Sequence, residues 1–117
     1  MQKMSRGKTH EGITPRIKTG CGWLYVTLNF QDGKLFELFV TLGKAGGCAK
    51  CQTESVAKLI TVALKYGVPL EDLVKKLEGN RCPIPLTWDS EEVLSCSDAI
   101  GKILRRYILE SSDYIPH

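Results

Sequence analysis

The pattern of apolar residues predicts an α+β fold, with a small antiparallel sheet of about three strands near the N-terminus packed by three helices. Two observations carry this. Residues 16–42 are rich in β-branched and aromatic side chains and contain Asp32-Gly33, a tight-turn pair between two such runs. Residues 52–108 instead repeat apolar side chains at helical spacing, interrupted by Gly67, Gly79 and a proline-containing connector.

At 117 residues, 43% hydrophobic and 25% charged, the chain fits one soluble globular domain with a modest core. Net charge is only +3, but Lys3, Arg6, Lys8, Arg16 and Lys18 load the first eighteen positions. This basic start has no apolar core of a signal peptide, and no apolar run nears the roughly 18 residues needed to span a bilayer. A cytoplasmic protein with no membrane partner is expected. Residues 1–15 read as a flexible basic arm, 16–110 as the domain and 111–117 as a frayed tail. The arm is read as a solvated tail, with nucleic-acid binding through it as a third functional reading. His10 and His117 fall outside the domain and receive no role.

Within the domain, Arg16–Thr19, Trp23–Phe30 and Lys34–Leu42 read as strands. Alternation over Leu35–Leu42 is only partial, so its two faces stay unassigned. Thr19-Gly20-Cys21-Gly22 is a turn whose glycines let the backbone wrap closely. Gln52–Tyr66 reads as a helix with Val56, Leu59, Ile60 and Ala63 toward the core, Gln52 or Thr53 as its cap and Gly67 at its end. Leu70–Leu77 follows, with Leu70, Leu73, Val74 and Leu77 on one face and Glu71 and Asp72 in the first turn. Pro83 and Pro85 make residues 80–92 a stiff extended connector, with Trp88 as a lid on the core. The last helix opens at Ser95-Cys96-Ser97-Asp98, capped by Ser95 or Cys96. It buries Ile100, Ile103, Leu104, Tyr107 and Ile108.

The five cysteines are an odd number in a chain without a secretion signal, which argues against a disulfide framework. Cys21, Cys48 and Cys82 lie in Gly- or Pro-punctuated turns and Cys96 begins a helix, so none sits on an apolar stripe. Two chemistries remain open. Thiolates from loops and helix ends can converge on zinc. Alternatively, Cys48-Ala49-Lys50-Cys51 at a helix start forms a redox dithiol, with Lys50 and the helix dipole favouring thiolate. The hairpin before it does not supply a thioredoxin-like βαβ context. Gly43-Lys44-Ala45-Gly46-Gly47 lacks both common phosphate-loop endings, yet the Gly46 and Gly47 amides with Lys44 form a candidate anion or nucleotide site. No nucleophile–base arrangement or paired carboxylate stands out, and no catalytic residue is assigned.

Six ordered motifs resemble the TSCPD domain: Lys18-Thr19-Gly20-Cys21-Gly22, Leu42-Gly43-Lys44-Ala45-Gly46-Gly47-Cys48, Gln52-Thr53-Glu54, Gly67-Val68-Pro69-Leu70-Glu71, Arg81-Cys82-Pro83 and Ser95-Cys96-Ser97-Asp98-Ala99-Ile100. That domain is found near the C-terminus of many adenosylcobalamin-dependent (class II) ribonucleotide reductases and as small free-standing proteins. The match spans Arg16 to Tyr107. Leu94 and Ser97 stand where the family name expects Thr and Pro, which removes a preset φ from the first turn but keeps the thiol and Asp98. The resemblance implies that Cys21, Cys48, Cys82 and Cys96 form a four-thiolate metal centre, with zinc as cofactor, that staples the two halves together. Cys51 falls outside the motifs. The resemblance further implies a non-catalytic accessory or regulatory role in deoxyribonucleotide synthesis, with the reductase catalytic chain or a nucleotide as partner. The chain has no room for the reductase's barrel, radical-site cysteine or cobalamin site. The competing reading is a carrier that passes electrons from thioredoxin to the reductase through Cys48 and Cys51.

Overall fold

The computed structural model describes residues 10–43 and 47–111. In chain order it forms β1 (Glu11–Ile13), β2 (Arg16–Thr19), β3 (Gly22–Gln31), β4 (Lys34–Leu42), α1 (Gly47–Lys65), α2 (Leu70–Leu77), β5 (Leu86–Trp88), β6 (Glu91–Val93) and α3 (Cys96–Leu104), which runs into a π-helical turn over Arg105–Leu109. This is the expected α+β class, a small antiparallel sheet with three helices.

β3 is the spine of the sheet. β1 pairs with its far half, Ile13 opposite Leu28, and β2 with its near half, Ile17 opposite Leu24. β4 pairs along the length covered by both, Leu24 opposite Leu42 and Leu28 opposite Leu38, so β1 and β2 share the other edge and the sheet is three strands wide. The β3–β4 turn is the expected Asp-Gly one, with φ +55° at Asp32 and +77° at Gly33. Even-numbered Leu24, Val26 and Leu28 face the core, while Trp23, Tyr25 and Thr27 face outward. On β4 the register shifts between Asn29 and Phe30, so that Leu35 pairs with Phe30 and Glu37 with Asn29. Phe36 is the extra residue of a bulge, which puts Leu35 on the same side as Leu38, Val40 and Leu42. This is why simple alternation failed along this strand.

Three expectations need correcting. Residues 11–13 lie in the stretch read as a flexible arm, yet they form β1; His10 before them stacks on Phe36 with centroids 5.3 Å apart, and its Nε2 bonds Gln31 Oε1 at 2.9 Å. The connector holds a second hairpin, β5–β6, whose turn residues Asp89 and Ser90 take φ +53° and +61°. Trp88 does pack against the core as foreseen, edge-on to Trp23 at 5.7 Å.

The helical correction concerns α1. It begins at Gly47, earlier than Gln52, so Thr53 is no cap: its hydroxyl donates to the Ala49 carbonyl one turn back at 2.6 Å. Its buried line is Thr53, Ala57, Ile60 and Leu64, whereas Leu59 is 70% exposed. Those residues close the core with Leu70 and Val74 of α2 and Ile100, Ile103 and Leu104 of α3. Past Leu104 the π turn delays the helical phase, which brings Ile108 inward and leaves Tyr107 exposed. Gly67 and Gly79 end α1 and α2 with positive φ as expected.

Candidate metal centre

Three remote segments meet where β2 turns into β3. Thr19, 1% exposed, is the hub: its Oγ1 donates to the Gly22 carbonyl at 2.8 Å and accepts the Cys21 N–H at 3.2 Å. The Cys96 thiol donates to the same oxygen at 3.6 Å. Gly20 lets this turn lie against the segment after Cys82, because a Cβ there would stand 1.9 Å from the Ile84 carbonyl oxygen. No side chain fits that gap.

Cys82 is held by its N–H, which donates to the Leu94 carbonyl at 3.0 Å. Ser95 is the cap of α3, accepting the Asp98 N–H at 3.0 Å, while its hydroxyl donates to the Asn80 carbonyl at 2.6 Å. One side chain therefore starts the helix of Cys96 and anchors the loop of Cys82. Asp98 does the same from below. Fully buried, it accepts the Gly79 N–H at 2.9 Å and the Leu94 N–H at 3.0 Å, and pairs with Lys102 at 2.7 Å. Burial alone pushes its pKa up, but the hydrogen bonds from Lys102, Gly79 and Leu94, with the Lys102 charge, outweigh that and hold it below the ordinary aspartate value.

The result is a cavity of about 210 Å³ lined by Cys21, Cys82 and Cys96, and by Ala49, Thr53 and Val56 of α1. Burial, and next the neighbouring Cys96 thiol with a smaller effect from Cys82, raise the Cys21 pKa above the usual thiol value. Thiols from the β2–β3 turn, the connector and the α3 start thus face one space. Cys48 does not line it. It stands exposed in the first turn of α1, one helical turn before Gln52, which does line the cavity. Cys51 is exposed too and borders a different hollow with Lys50, Glu54, Ser55 and Lys58. Among the described residues, no group of three or more His, Cys, Asp or Glu side chains is positioned to hold a metal ion as they stand. Of the candidate anion loop, Lys44 and Gly46 lie outside the described residues, and Gly47, φ +63°, opens α1.

Sequence reasoning marked Thr19 and Gly20 only as turn residues and Asp98 only as a helix-start acid. The contacts that bring the segments of Cys21, Cys82 and Cys96 together include partners 15 to 77 residues apart, such as Ser95 with Asn80 and Cys96 with Thr19. No local pattern announces such partners.

The family profile of the TSCPD domain matches residues 2–108. This chain belongs to the TSCPD domain family. Its curated relatives bear out that assignment. The TSCPD chain is similar to proteins named vitamin B12-dependent ribonucleotide reductase from Streptomyces clavuligerus, 30% identical over 93% of this chain and 11% of the relative, and from Streptantibioticus cattleyicolor, 32% identical over 93% of this chain and 18% of the relative. The counterpart from Rhodopirellula baltica is 28% identical over 81% of this chain and 9% of its own length. The TSCPD chain therefore spans less than a fifth of these relatives. No solved structure matches it. No helix among the described residues is long and apolar enough to cross a membrane.

Proposed function

We propose that this TSCPD chain is a non-catalytic, zinc-binding accessory module of B12-dependent ribonucleotide reduction, with the reductase catalytic chain as its partner. The single observation that supports the metal reading is the cavity shared by Cys21, Cys82 and Cys96, which come from three segments far apart in sequence. The chemistry of the donors fits zinc, which favours thiolates supplied by loops and helix ends. A thiol turns between staggered rotamers about one Cα–Cβ bond, and such a rotation toward the shared cavity is what this reading requires of the three thiols. Cys48, a turn from Gln52, is the fourth ligand in this reading and Cys51 is the spare. Zinc, when bound, contributes folding free energy and performs no redox chemistry. The reductase partnership is supported by the printed names of the relatives, which carry a similar segment within much longer chains.

Elemental analysis of the purified chain beside Cys82→Ser and Cys51→Ser variants tests the metal reading. About one zinc per chain is expected in the wild type and in Cys51→Ser, and none in Cys82→Ser. Equal loss in both variants removes this ligand set. The exposure of both Cys48 and Cys51 supports a second reading, a dithiol carrier that closes to a disulfide as it delivers two electrons and two protons to the reductase. That reading predicts a metal-free protein that turns over with thioredoxin.

A further inference from the structure

The three cysteines of the thiol cavity are not equivalent, because two of them share a partner. Thr19 Oγ1 accepts the Cys21 N–H at 3.2 Å and the Cys96 thiol at 3.6 Å, so one buried oxygen holds the Cys96 sulfur beside residue 21. After burial, the strongest influence on the Cys21 thiol comes from Cys96, through charge and a hydrogen bond between the two side chains. Cys82 acts on it more weakly and through charge alone. The Cys82 backbone is tied to Leu94 instead. Cys48 and Cys51 are exposed and line none of this space.

A structural zinc ion needs four ligands, whereas a disulfide needs only two neighbouring sulfurs. Cys21 and Cys96 are both only half-buried, which leaves them open to a small reagent. One thiolate attacks a low-molecular-weight disulfide, RSSR, forming a mixed disulfide and expelling RS⁻. The other thiolate attacks the protein sulfur of that mixed disulfide and expels the second RS⁻. In balance, the two cysteines give up two protons and two electrons to form one S–S bond, and RSSR becomes two RSH. The bond ties the β2–β3 turn to the start of α3, two segments far apart in sequence. Only the thiolate binds a metal, so the same bond withdraws two of the four ligands assigned to zinc.

We infer that Cys21 and Cys96 are a redox pair that closes to a reversible disulfide in the presence of a low-molecular-weight disulfide and displaces any metal from the cavity as it does so. The effect on metal rests on the zinc site proposed above; the bond itself does not. The full chain, both as purified and after metal removal by a chelator, is treated with glutathione disulfide, alkylated and digested with trypsin and a glutamyl endopeptidase. The second enzyme cuts at Glu91 and Glu92 and so separates Cys82 from Cys96. Mass spectrometry should find Cys21 joined to Cys96 at least about tenfold more often than Cys82 joined to any cysteine, with the link lost on adding dithiothreitol. In the zinc-loaded chain, about one ion should leave per bond formed. A chain purified without zinc that still forms the link upholds this inference and overturns the zinc site alone. Failure of the link in both samples overturns the inference whatever the zinc content. So does a Cys82 link of comparable yield, a Cys48–Cys51 link in its place, or zinc that stays bound while the Cys21–Cys96 bond forms.

Discussion

Two places in this molecule hold cysteines, and they differ in how much of the fold is spent on them. At the β2–β3 turn, three half-buried thiols are aligned by a buried threonine, a glycine with no room for a Cβ, a capping serine and a buried aspartate. At the start of α1, Cys48 and Cys51 are exposed and bound by no such network among the described residues. A thiol that needs only to react with a partner needs access. Thiols that must converge need their backbones fixed from several directions. The difference teaches that the fold fixes the segments of Cys21, Cys82 and Cys96 from several sides and leaves Cys48 and Cys51 open to solvent.

The sharpest way to break that comparison is Asp98→Ala. It leaves the Gly79 and Leu94 N–H groups and the Lys102 ammonium without their acceptor, and a loss of about 3–5 kcal/mol in urea unfolding is expected. Alkylation of Cys82 and Cys96 should accelerate in this variant, and that of Cys48 with them as the metal is lost, while that of Cys51 stays the same. Unchanged stability would mean the aspartate aligns nothing.

A smaller effect is expected from Gly20→Ala, where the new methyl meets the Ile84 carbonyl and forces the turn of Cys21 away from the connector. About 1–3 kcal/mol should be lost, with Cys21 becoming the faster-labelled thiol by mass spectrometry. Cys51→Ser, by contrast, should stay within about 0.5 kcal/mol of wild type, as an exposed substitution does.

The same contrast has a pH signature. Because Asp98 titrates lower in the folded than in the unfolded chain, its contribution is fully present above the ordinary aspartate value of 3.8 and is lost as pH falls through the folded value. Wild-type stability should therefore drop on acidification across that window, and Asp98→Asn should flatten this part of the curve from a lower starting point.

Much of this architecture is legible in the residues themselves, for reasons that differ by element. Asp32-Gly33 announces its hairpin because a tight turn demands positive φ and glycine supplies it. Asp89-Ser90 makes the same kind of turn without glycine, behind two prolines, and so hides the second hairpin. Along α1, hydropathy alone placed Leu59 inside and overlooked Thr53, whereas the helix buries the threonine, which satisfies its hydroxyl internally, and exposes the leucine. The motifs carrying Cys21, Cys82 and Cys96 located three thiols correctly as turn and helix-start residues. Their meeting depends on Thr19, Gly20 and Asp98 acting across long separations, which only the folded chain brings about.

The most direct test of the metal centre is a count of reactive thiols in the purified native chain, before and after a strong zinc chelator. The account predicts one fast thiol, Cys51, with the other four cysteines released together with the metal. Two fast thiols, no metal, and no gain on chelation would contradict it and leave α1 with an exposed dithiol.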